Sequence, residues 1–260
     1  MQGVAESRHG RVLELVINNP AQRNALLPDV SRELTRLLRL ASDDASIGAV
    51  VLRGEGAHFC AGGNLKSLAE LRAGKPRQAV IERITAINEF ARALRGCAKP
   101  VIAAVEGHAA GAGFSIALGC DLIVAAENAV FTLSYVKIGV NPDGGGSWLL
   151  ARSLPPQLAS EMALTASPMD AARMAQFGVV NRVVPTGKAR EAAMAWAAEI
   201  AAGATAAIGR TKRLLDEAAQ QPLSLHLERE RDGFADGLFG PEGGEGIAAF
   251  LEKRKPKFSP

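Results

Sequence analysis

Short apolar runs alternate with segments of helical periodicity along the first half of this chain, and this alternation restricts the folds it can adopt. The periodic segment at 28–44 predicts a helix. Apolar runs on either side of it, at 11–17 and 49–52, predict strands. Further strands are predicted at 101–105 and 122–125. Strands that alternate with helices in this way predict an α/β fold in which helical crossovers connect the strands.

The pattern becomes mainly helical beyond Pro142. Helices are predicted at 144–154, 156–165, 170–177, 187–202, 204–219 and 223–232, and the segment 179–184 is the one strand predicted in this half. The sequence therefore predicts an α/β core over residues 1–190, followed by a helical carboxy-terminal subdomain over residues 191–260.

Composition excludes several classes of protein. Of the 260 residues, 48% are hydrophobic and 22% are charged, which is typical of a globular chain rather than a disordered or fibrous one. The 30 Lys and Arg side chains nearly balance the 27 Asp and Glu side chains, so we expect neither a nucleic-acid nor a membrane partner. Cys60, Cys97 and Cys120 form no Cys-x-x-Cys pair, which predicts reduced thiols and no metal site. Because the amino-terminal segment also lacks an apolar signal sequence, we expect a cytoplasmic protein.

The strongest local motif is a strand-to-helix turn at Gly107-His-Ala-Ala-Gly111-Ala-Gly113. Glycines let the backbone approach a ligand closely, and the first turn of a helix directs free N–H groups towards negative charge. The motif therefore predicts an anion site, with a tight packing turn as the alternative. A dinucleotide site of the short-chain dehydrogenase type is disfavoured, because Gly139 stands where a Tyr135-x-x-x-Lys pair needs its lysine.

A second glycine-rich loop, Phe59-Cys-Ala-Gly-Gly63-Asn-Leu-Lys66, also leads into a predicted helix, at 65–73. Taken alone, this segment is an ordinary loop. Two such loops in one chain can supply a pair of converging backbone N–H groups, which is what an oxyanion hole requires.

Asp143 lies in a third glycine-rich segment, Asn141-Pro-Asp-Gly-Gly-Gly146. Pro-Asp-Gly is a favourable β-turn sequence, and an aspartate readily caps the helix that follows it. On local sequence alone, a turn role and an acid/base role are both open for Asp143.

Four segments, taken together, resemble the enoyl-CoA hydratase/isomerase (crotonase) family over nearly the whole chain. They are Arg23-Asn-Ala-Leu26, Phe59 to Lys66 with Asn64 in place of an aspartate, Lys99-Pro-Val-Ile-Ala103 through Gly113 with Ala112 in place of a glycine, and Glu245-Gly-Ile-Ala-Ala-Phe-Leu-Glu-Lys-Arg254. The resemblance implies a crotonase (ClpP-like) spiral of ββα repeats. It also implies that the helical tail serves in trimerisation, giving a homotrimer or a hexamer made of two trimers.

The resemblance further implies an acyl-CoA thioester substrate, and coenzyme A then enters as part of the substrate, so that no separate cofactor is expected. The family's two oxyanion-hole amides map onto Gly63 and Ala112, and an amide donates a hydrogen bond whatever its side chain is. The substrate-binding positions that the resemblance implies are Arg23, Ala25, Ala61, Gly62, Asn64, Leu65, Lys66, Gly111 and Tyr135.

The two glutamates of the family's hydratases fall on Ser115 and Tyr135, neither of which can replace a carboxylate. We therefore expect poor hydratase activity, because general acid/base groups contribute about 10²- to 10⁴-fold to such a reaction. Asp143 matches a third carboxylate found in several of the family's isomerases. Its surroundings are similar to those of the ring-epoxide isomerase of bacterial phenylacetate degradation. The resemblance thus implies an isomerase in which Asp143 moves a proton while two amides hold an enolate oxygen.

Other functions within the family stay open at this stage. The chain could be a hydratase that uses groups not identified here, or a catalytically silent member that binds acyl-CoA. A nucleophilic Asp143, as in the chlorobenzoyl-CoA dehalogenases, is disfavoured because no histidine lies between residues 59 and 107.

Overall fold

The computed structural model describes residues 3–258. The strands are β1 (Gly3–His9), β2 (Val12–Asn18), β3 (Ala49–Gly54), β4 (Val101–Val105), β5 (His108–Ala110), β6 (Leu122–Ala126), β7 (Val130–Thr132), β8 (Met169–Asp170) and β9 (Arg182–Val184). The helices are α1 (Pro28–Asp43), α2 (Leu65–Gly74), α3 (Arg77–Gly96), α4 (Ala112–Gly119), α5 (Gly146–Ser153), α6 (Pro156–Thr165), α7 (Ala171–Gln176), α8 (Ala189–Ala201), α9 (Thr205–Ala218), α10 (Leu223–Phe239) and α11 (Pro241–Leu251). Two short 3₁₀ helices lie at Pro20–Gln22 and Ser134–Ile138.

A mostly parallel sheet organises the core. Within residues 3–258 it has six strands in the order β1-β2-β3-β4-β6-β9, with β1 antiparallel to β2 and the other neighbours parallel. A second sheet pairs β5 with β7 in parallel and β7 with β8 antiparallel. The predicted α/β class and the first strand–helix–strand unit, β2-α1-β3, are confirmed. Consecutive strands of the two sheets, β4 with β5 and β6 with β7, step from one sheet to the other, so loops that follow β3, β4 and β6 converge on one region.

Apolar side chains fill both faces of the large sheet. On one face the sheet packs against α1, α3 and α4, where Phe90 and Phe114 are fully buried. On the other face α8 presents four buried alanines at intervals of four residues, Ala189, Ala193, Ala197 and Ala201. Alanine at this spacing lets a helix approach a sheet closely. The predicted division of the chain at residues 190 and 191 stays a prediction, although α8 spans that point and packs on the sheet.

Glu14 ties α8 to the sheet. Its carboxylate, 2% exposed, accepts hydrogen bonds from Arg190 at 2.6 and 2.9 Å and from Arg53 at 2.7 Å. These bonds, led by that of Arg190, outweigh the effect of burial and lower the pKa of Glu14 to about 2. A buried carboxylate is tolerated here because both of its oxygens have cationic donors.

Several elements were not predicted. β1 is exposed along most of its length and carries no hydrophobic signal, because pairing with β2 through the backbone forms it. The segment 179–184 was predicted as the one strand of the second half, but Met169–Asp170 also pairs as β8. The helix predicted to end at 232 continues to Phe239, and the glycine-rich segment Pro241–Leu251 is helical as α11. Tertiary packing overrides the low helix propensity of glycine there.

Within the described part of the chain, no single helix has both the length and the hydropathy of a membrane span. Only the bent pair α8 and α9, which meet at 107°, reaches that composition when the two helices are combined.

Candidate active site

The loop after β3 packs directly on the amino terminus of α4. Cys60 pairs with Ala109 of β5 in a parallel bridge, and the Ala110 amide donates a 2.9 Å hydrogen bond to the Cys60 carbonyl. A Cβ atom on Gly113 would lie 2.2 Å from the same carbonyl oxygen, so only glycine permits this approach. Gly62 has a φ of +82°, which also favours glycine. The two predicted glycine-rich loops therefore meet.

Two backbone amides at this meeting point have no protein acceptor. Within residues 3–258, neither the Gly63 nor the Ala112 amide donates to a backbone or side-chain oxygen. Ala112 is the first residue of α4, where N–H groups have no acceptor within the helix. A Cβ on Gly62 would lie 2.9 Å from the Ala112 nitrogen, which places the loop against this amide. The pair is available to bind an oxygen with negative charge.

A third loop holds the first two in place. The Ala61 amide donates to the Arg23 carbonyl at 2.9 Å, and the Leu26 amide donates to the Gly62 carbonyl at 2.8 Å. Asn24, which is fully buried, donates through its side chain to the carbonyls of Glu55 and His58 at 2.9 and 2.7 Å. Arg23 and Ala25 are thereby brought beside the loop of residues 60–64.

Asp143 accepts a hydrogen bond from a buried tyrosine. The Tyr135 hydroxyl donates to Asp143 Oδ1 at 2.6 Å, and the Ser115 hydroxyl lies 3.2 Å from the Tyr135 oxygen. The Ser115 hydroxyl also lies 3.3 Å from the Gly111 carbonyl, so its one proton can be donated to that carbonyl or to the Tyr135 oxygen. The three side chains form a chain from the fully buried Ser115 of α4 to the half-buried Asp143.

The predicted turn role of Asp143 is partly correct. Its carbonyl accepts from the Gly146 amide at 3.0 Å, and Gly144 and Gly145 both have positive φ, as in a tight turn. Its side chain does not cap α5, whose N-cap is Gly145. The carboxylate is directed to Tyr135 instead.

The environment favours the protonated form of Asp143 more than water does. Burial raises the pKa of Asp143 above its usual value, and the hydrogen bond from Tyr135 and the positive charge of Arg83 partly oppose this. Burial, together with the charge of Asp143, raises the pKa of Tyr135, so Tyr135 stays a neutral hydrogen-bond donor. A raised pKa makes the carboxylate of Asp143 a stronger base than an exposed aspartate.

The other predicted binding residues surround these groups. Asn64 caps α2 by accepting from the Ser67 amide at 2.9 Å, and it donates to Gln22 at 2.7 Å. Leu65, 59% exposed, and Lys66 are on the first turn of α2 and face outward. Gly111 precedes Ala112 with a φ of +52°, and a Cβ there would lie 4.0 Å from the Tyr135 ring. Gly111 thus lies between Ala112, whose amide has no protein acceptor, and Tyr135, which donates to Asp143.

Sequence reasoning missed Arg83. This arginine on α3 is only 6% exposed, and its charge acts on Asp143. Its position contains a signal that could have identified it. Arg83 shares the buried face of α3 with Ile87, Phe90 and Leu94, so a charge interrupts an otherwise apolar stripe.

Comparison with known proteins adds an independent observation. The chain matches the family model described as enoyl-CoA hydratase/isomerase over residues 7–260. It is 36% identical to a 2,3-dehydroadipyl-CoA hydratase of Escherichia coli K12 over 99% of both chains. It is 32% identical to a 1,2-epoxyphenylacetyl-CoA isomerase of the same organism over 95% of both chains. A solved enoyl-CoA hydratase from Polaromonas sp. JS666 superposes with a TM-score of 0.96 at 45% identity, covering 99% of this chain and 100% of that one. The predicted crotonase fold is thereby confirmed.

Proposed function

Because the chain belongs to the enoyl-CoA hydratase/isomerase family, we propose that it isomerises an unsaturated or ring-epoxide acyl-CoA thioester. The observation that carries this proposal is a carboxyl group, Asp143, that is linked through Tyr135 to Ser115 on the first turn of α4, the helix whose first amide, Ala112, has no protein acceptor. The isomerase named among the relatives supports the same reaction class.

The proposed reaction needs one base and one oxyanion site. The Asp143 carboxylate removes a proton from a carbon near the thioester, and the electron pair moves onto the thioester oxygen to form an enolate. The Gly63 and Ala112 amides donate to that oxygen, and each such donor is worth about 3 kcal/mol in the transition state. Asp143 then returns the proton at another carbon, so that no co-reactant is consumed.

The contacts of Ser115 and Tyr135 argue against the two-glutamate hydration chemistry of the family. These side chains hold each other and Asp143 through hydrogen bonds of 3.2 and 2.6 Å, and neither is a carboxylate. Hydration of an enoyl-CoA is nevertheless the second candidate, because the 36% identical relative and the superposed structure both carry the name hydratase. Rapid hydration of crotonyl-CoA by the unaltered protein would favour it.

Asp143→Asn tests the proposed base. We expect it to lower kcat for isomerisation by about 10²- to 10⁴-fold, because asparagine cannot accept the proton. Turnover is measured by double-bond position and product mass over a panel of thioesters, and thioester binding is measured in parallel as a control for folding. Unchanged turnover in Asp143→Asn would refute the assignment. Tight binding with no turnover by the unaltered protein would instead identify a silent acyl-CoA-binding protein.

The remaining implied contacts belong to the coenzyme A portion and the thioester. Arg23, on the loop after β2, and Lys66, on the first turn of α2, are exposed cations, and such cations can pair with phosphate groups. The other implied binding residues lie in the backbone segments around these groups. They are Ala25, Ala61, Gly62, Asn64, Leu65 and Gly111. The expectations of no separate cofactor and of a cytoplasmic location stay predictions.

The carboxy-terminal helices support the proposal of a homotrimer or hexamer. In the single chain no residue of α9 or α10 within residues 3–258 is buried. Phe234, Phe239 and Phe250 are 73%, 89% and 83% exposed. An apolar surface of this kind is typical of a subunit interface.

A further inference from the structure

Arg83 is a buried cation without a protein carboxylate partner. It is 6% exposed, and within residues 3–258 no Asp or Glu oxygen lies within ion-pair distance of it. Arginine is almost never buried to this extent unless it is paired, because removing its charge from water is costly. Its position therefore calls for an anion.

The protein satisfies only part of the guanidinium group. Nη1 donates to the Ser67 hydroxyl at 2.8 Å, and Nη2 lies 3.5 Å from the Leu26 carbonyl. Both acceptors are neutral, and a guanidinium has five N–H donors. The remaining donors can form the two parallel hydrogen bonds by which arginine binds a carboxylate.

Arg83 also lines a cavity. The cavity has a volume of about 350 Å³ and lies between α2, α3 and the start of α1, where Leu27, Leu71 and Ala79 supply apolar walls. Ser67 and Arg83 provide polar groups on the same walls. Asp29, Arg32 and Glu82 also line the cavity, so its walls combine apolar side chains with charged ones, as a ligand with an apolar chain and a charged end requires.

Arg83 relates the cavity to the site around Asp143. One turn after Arg83 on α3, Ile87 approaches Gly144 so closely that a Cβ there would lie 3.1 Å from its Cγ2 atom. Leu26, which Arg83 contacts, donates to the Gly62 carbonyl next to the free amide of Gly63. Arg83 is thereby linked both to Asp143, on which its charge acts, and to the loop that carries the Gly63 amide.

We propose that Arg83 binds a carboxylate at the far end of the acyl chain, so that the preferred substrate is the monothioester of an unsaturated dicarboxylic acid. This inference rests on the proposed function and narrows its substrate class. A chain that ends in a methyl group leaves the cation unpaired, and a site built for a charged group discriminates strongly against a ligand that lacks it.

The acidic residues at the mouth of the cavity do not fill this role. Asp29 is 95% exposed and pairs with Arg32 at 2.7 Å, and Glu82 is exposed to solvent. Neither carboxylate forms an ion pair with the buried guanidinium among the described residues, and the charge of Asp143 is the one that acts on the pKa of Arg83.

Calorimetric binding of unreactive saturated thioesters to the full chain tests the proposal. Succinyl-, glutaryl- and adipyl-CoA are compared with the methyl-ended thioesters of equal chain length. We expect the unaltered protein to bind at least one dicarboxylic thioester on the order of 10- to 100-fold more tightly than its methyl-ended match, as for a charged hydrogen bond. Equal binding, or a preference for the methyl-ended thioester, at all three lengths overturns the proposal.

Two variants test whether Arg83 causes the preference for the dicarboxylic thioester. Arg83→Gln is expected to abolish the preference while the methyl-ended thioesters bind within a few-fold of the unaltered protein. The control Arg32→Gln removes an exposed cation at the same cavity and is expected to keep the preference. A preference that survives Arg83→Gln contradicts the proposal. Because binding is measured without turnover, the preference must also persist in Asp143→Asn. An incorrect assignment of Asp143 as the base therefore leaves the preference unchanged. An incorrect assignment of Arg83 removes the predicted loss of preference in Arg83→Gln.

Discussion

At the scale of single residues, burial and the hydrogen bond from Tyr135 act in opposite directions on the pKa of Asp143, and burial has the larger effect. Burial alone favours a protonated Asp143, which cannot remove a proton from a substrate. The Tyr135 hydroxyl at 2.6 Å stabilises the charged carboxylate and so keeps part of the population in the basic form. Tyr135, which stands where hydratases of the family carry a glutamate, thus acts by holding Asp143.

Tyr135→Phe tests this relation. Removing the hydroxyl removes a hydrogen bond that lowers the pKa of Asp143, so that pKa rises further. Since the deprotonated form is the base, the rate increases with pH through the pKa of Asp143, and we expect this acidic limb of kcat/KM to move to higher pH. The measurement is the pH profile of isomerisation. Asp143→Asn serves as the matched control, because its residual rate has no such limb. A profile unchanged in Tyr135→Phe contradicts the role given to Tyr135.

At the scale of elements, the proposed oxyanion site depends on contact between the loop of residues 60–64 and the amino terminus of α4. Gly113 permits this contact, because a Cβ atom would lie 2.2 Å from the Cys60 carbonyl oxygen and 2.8 Å from the Cys60 carbonyl carbon. Backbone atoms cannot move aside as the end of a flexible side chain can. We therefore expect Gly113, which has no proposed contact with the substrate, to control the separation of the Gly63 and Ala112 amides.

Gly113→Ala is expected to push the loop and α4 apart. Overpacking of this kind costs about 1–3 kcal/mol of unfolding free energy, and displacement of an oxyanion donor lowers kcat by about 10²-fold or more. Thermal unfolding and turnover measure the two effects. The control is Ala112→Gly, which alters the adjacent residue but keeps its amide, and its turnover should stay within a few-fold. Equal activity of Gly113→Ala and the unaltered protein argues against the proposed oxyanion pair.

At the scale of the whole molecule, the exposed apolar surface of α9–α11 has to be covered if the proposed assembly forms. Leu215, Leu223 and Leu251 are 72%, 71% and 75% exposed, and they add to the exposed phenylalanines of the same helices. Association removes this apolar area from water at about 25 cal/mol per Å². We therefore expect the chain to associate with further copies of itself in solution.

Phe239→Ser combined with Phe250→Ser is expected to reduce the assembly to smaller species. Analytical ultracentrifugation of the unaltered protein should give a trimer or hexamer, and the double variant should shift towards monomer. Leu40→Ser, which alters a 55% exposed residue on α1, is the control and should leave the mass unchanged. A monomeric unaltered protein would contradict the proposal of an oligomer, independently of any result at the active site.

Local sequence determined the elements whose signals are local. Apolar runs and helical spacing predicted β2, β3, β4 and β6 and most helices, because periodicity reports which face of an element is buried. The glycines at 62, 111 and 113 predicted close backbone approaches, because these positions need a positive φ or lack room for a Cβ. The family resemblance then supplied the roles of Gly63, Ala112 and Asp143.

Only the tertiary structure decided what depends on residues far apart in the chain. β1 forms through backbone pairing that leaves no hydrophobic pattern, and α11 forms despite its glycines because neighbouring helices hold it. The contact of Ser115, Tyr135 and Asp143 joins three different elements. The burial of Arg83 likewise results from the packing of α3 against α2 and the loop at Leu26. Burial and juxtaposition are properties of the packed chain, and the charge of a side chain in sequence does not reveal whether the fold supplies it with a partner.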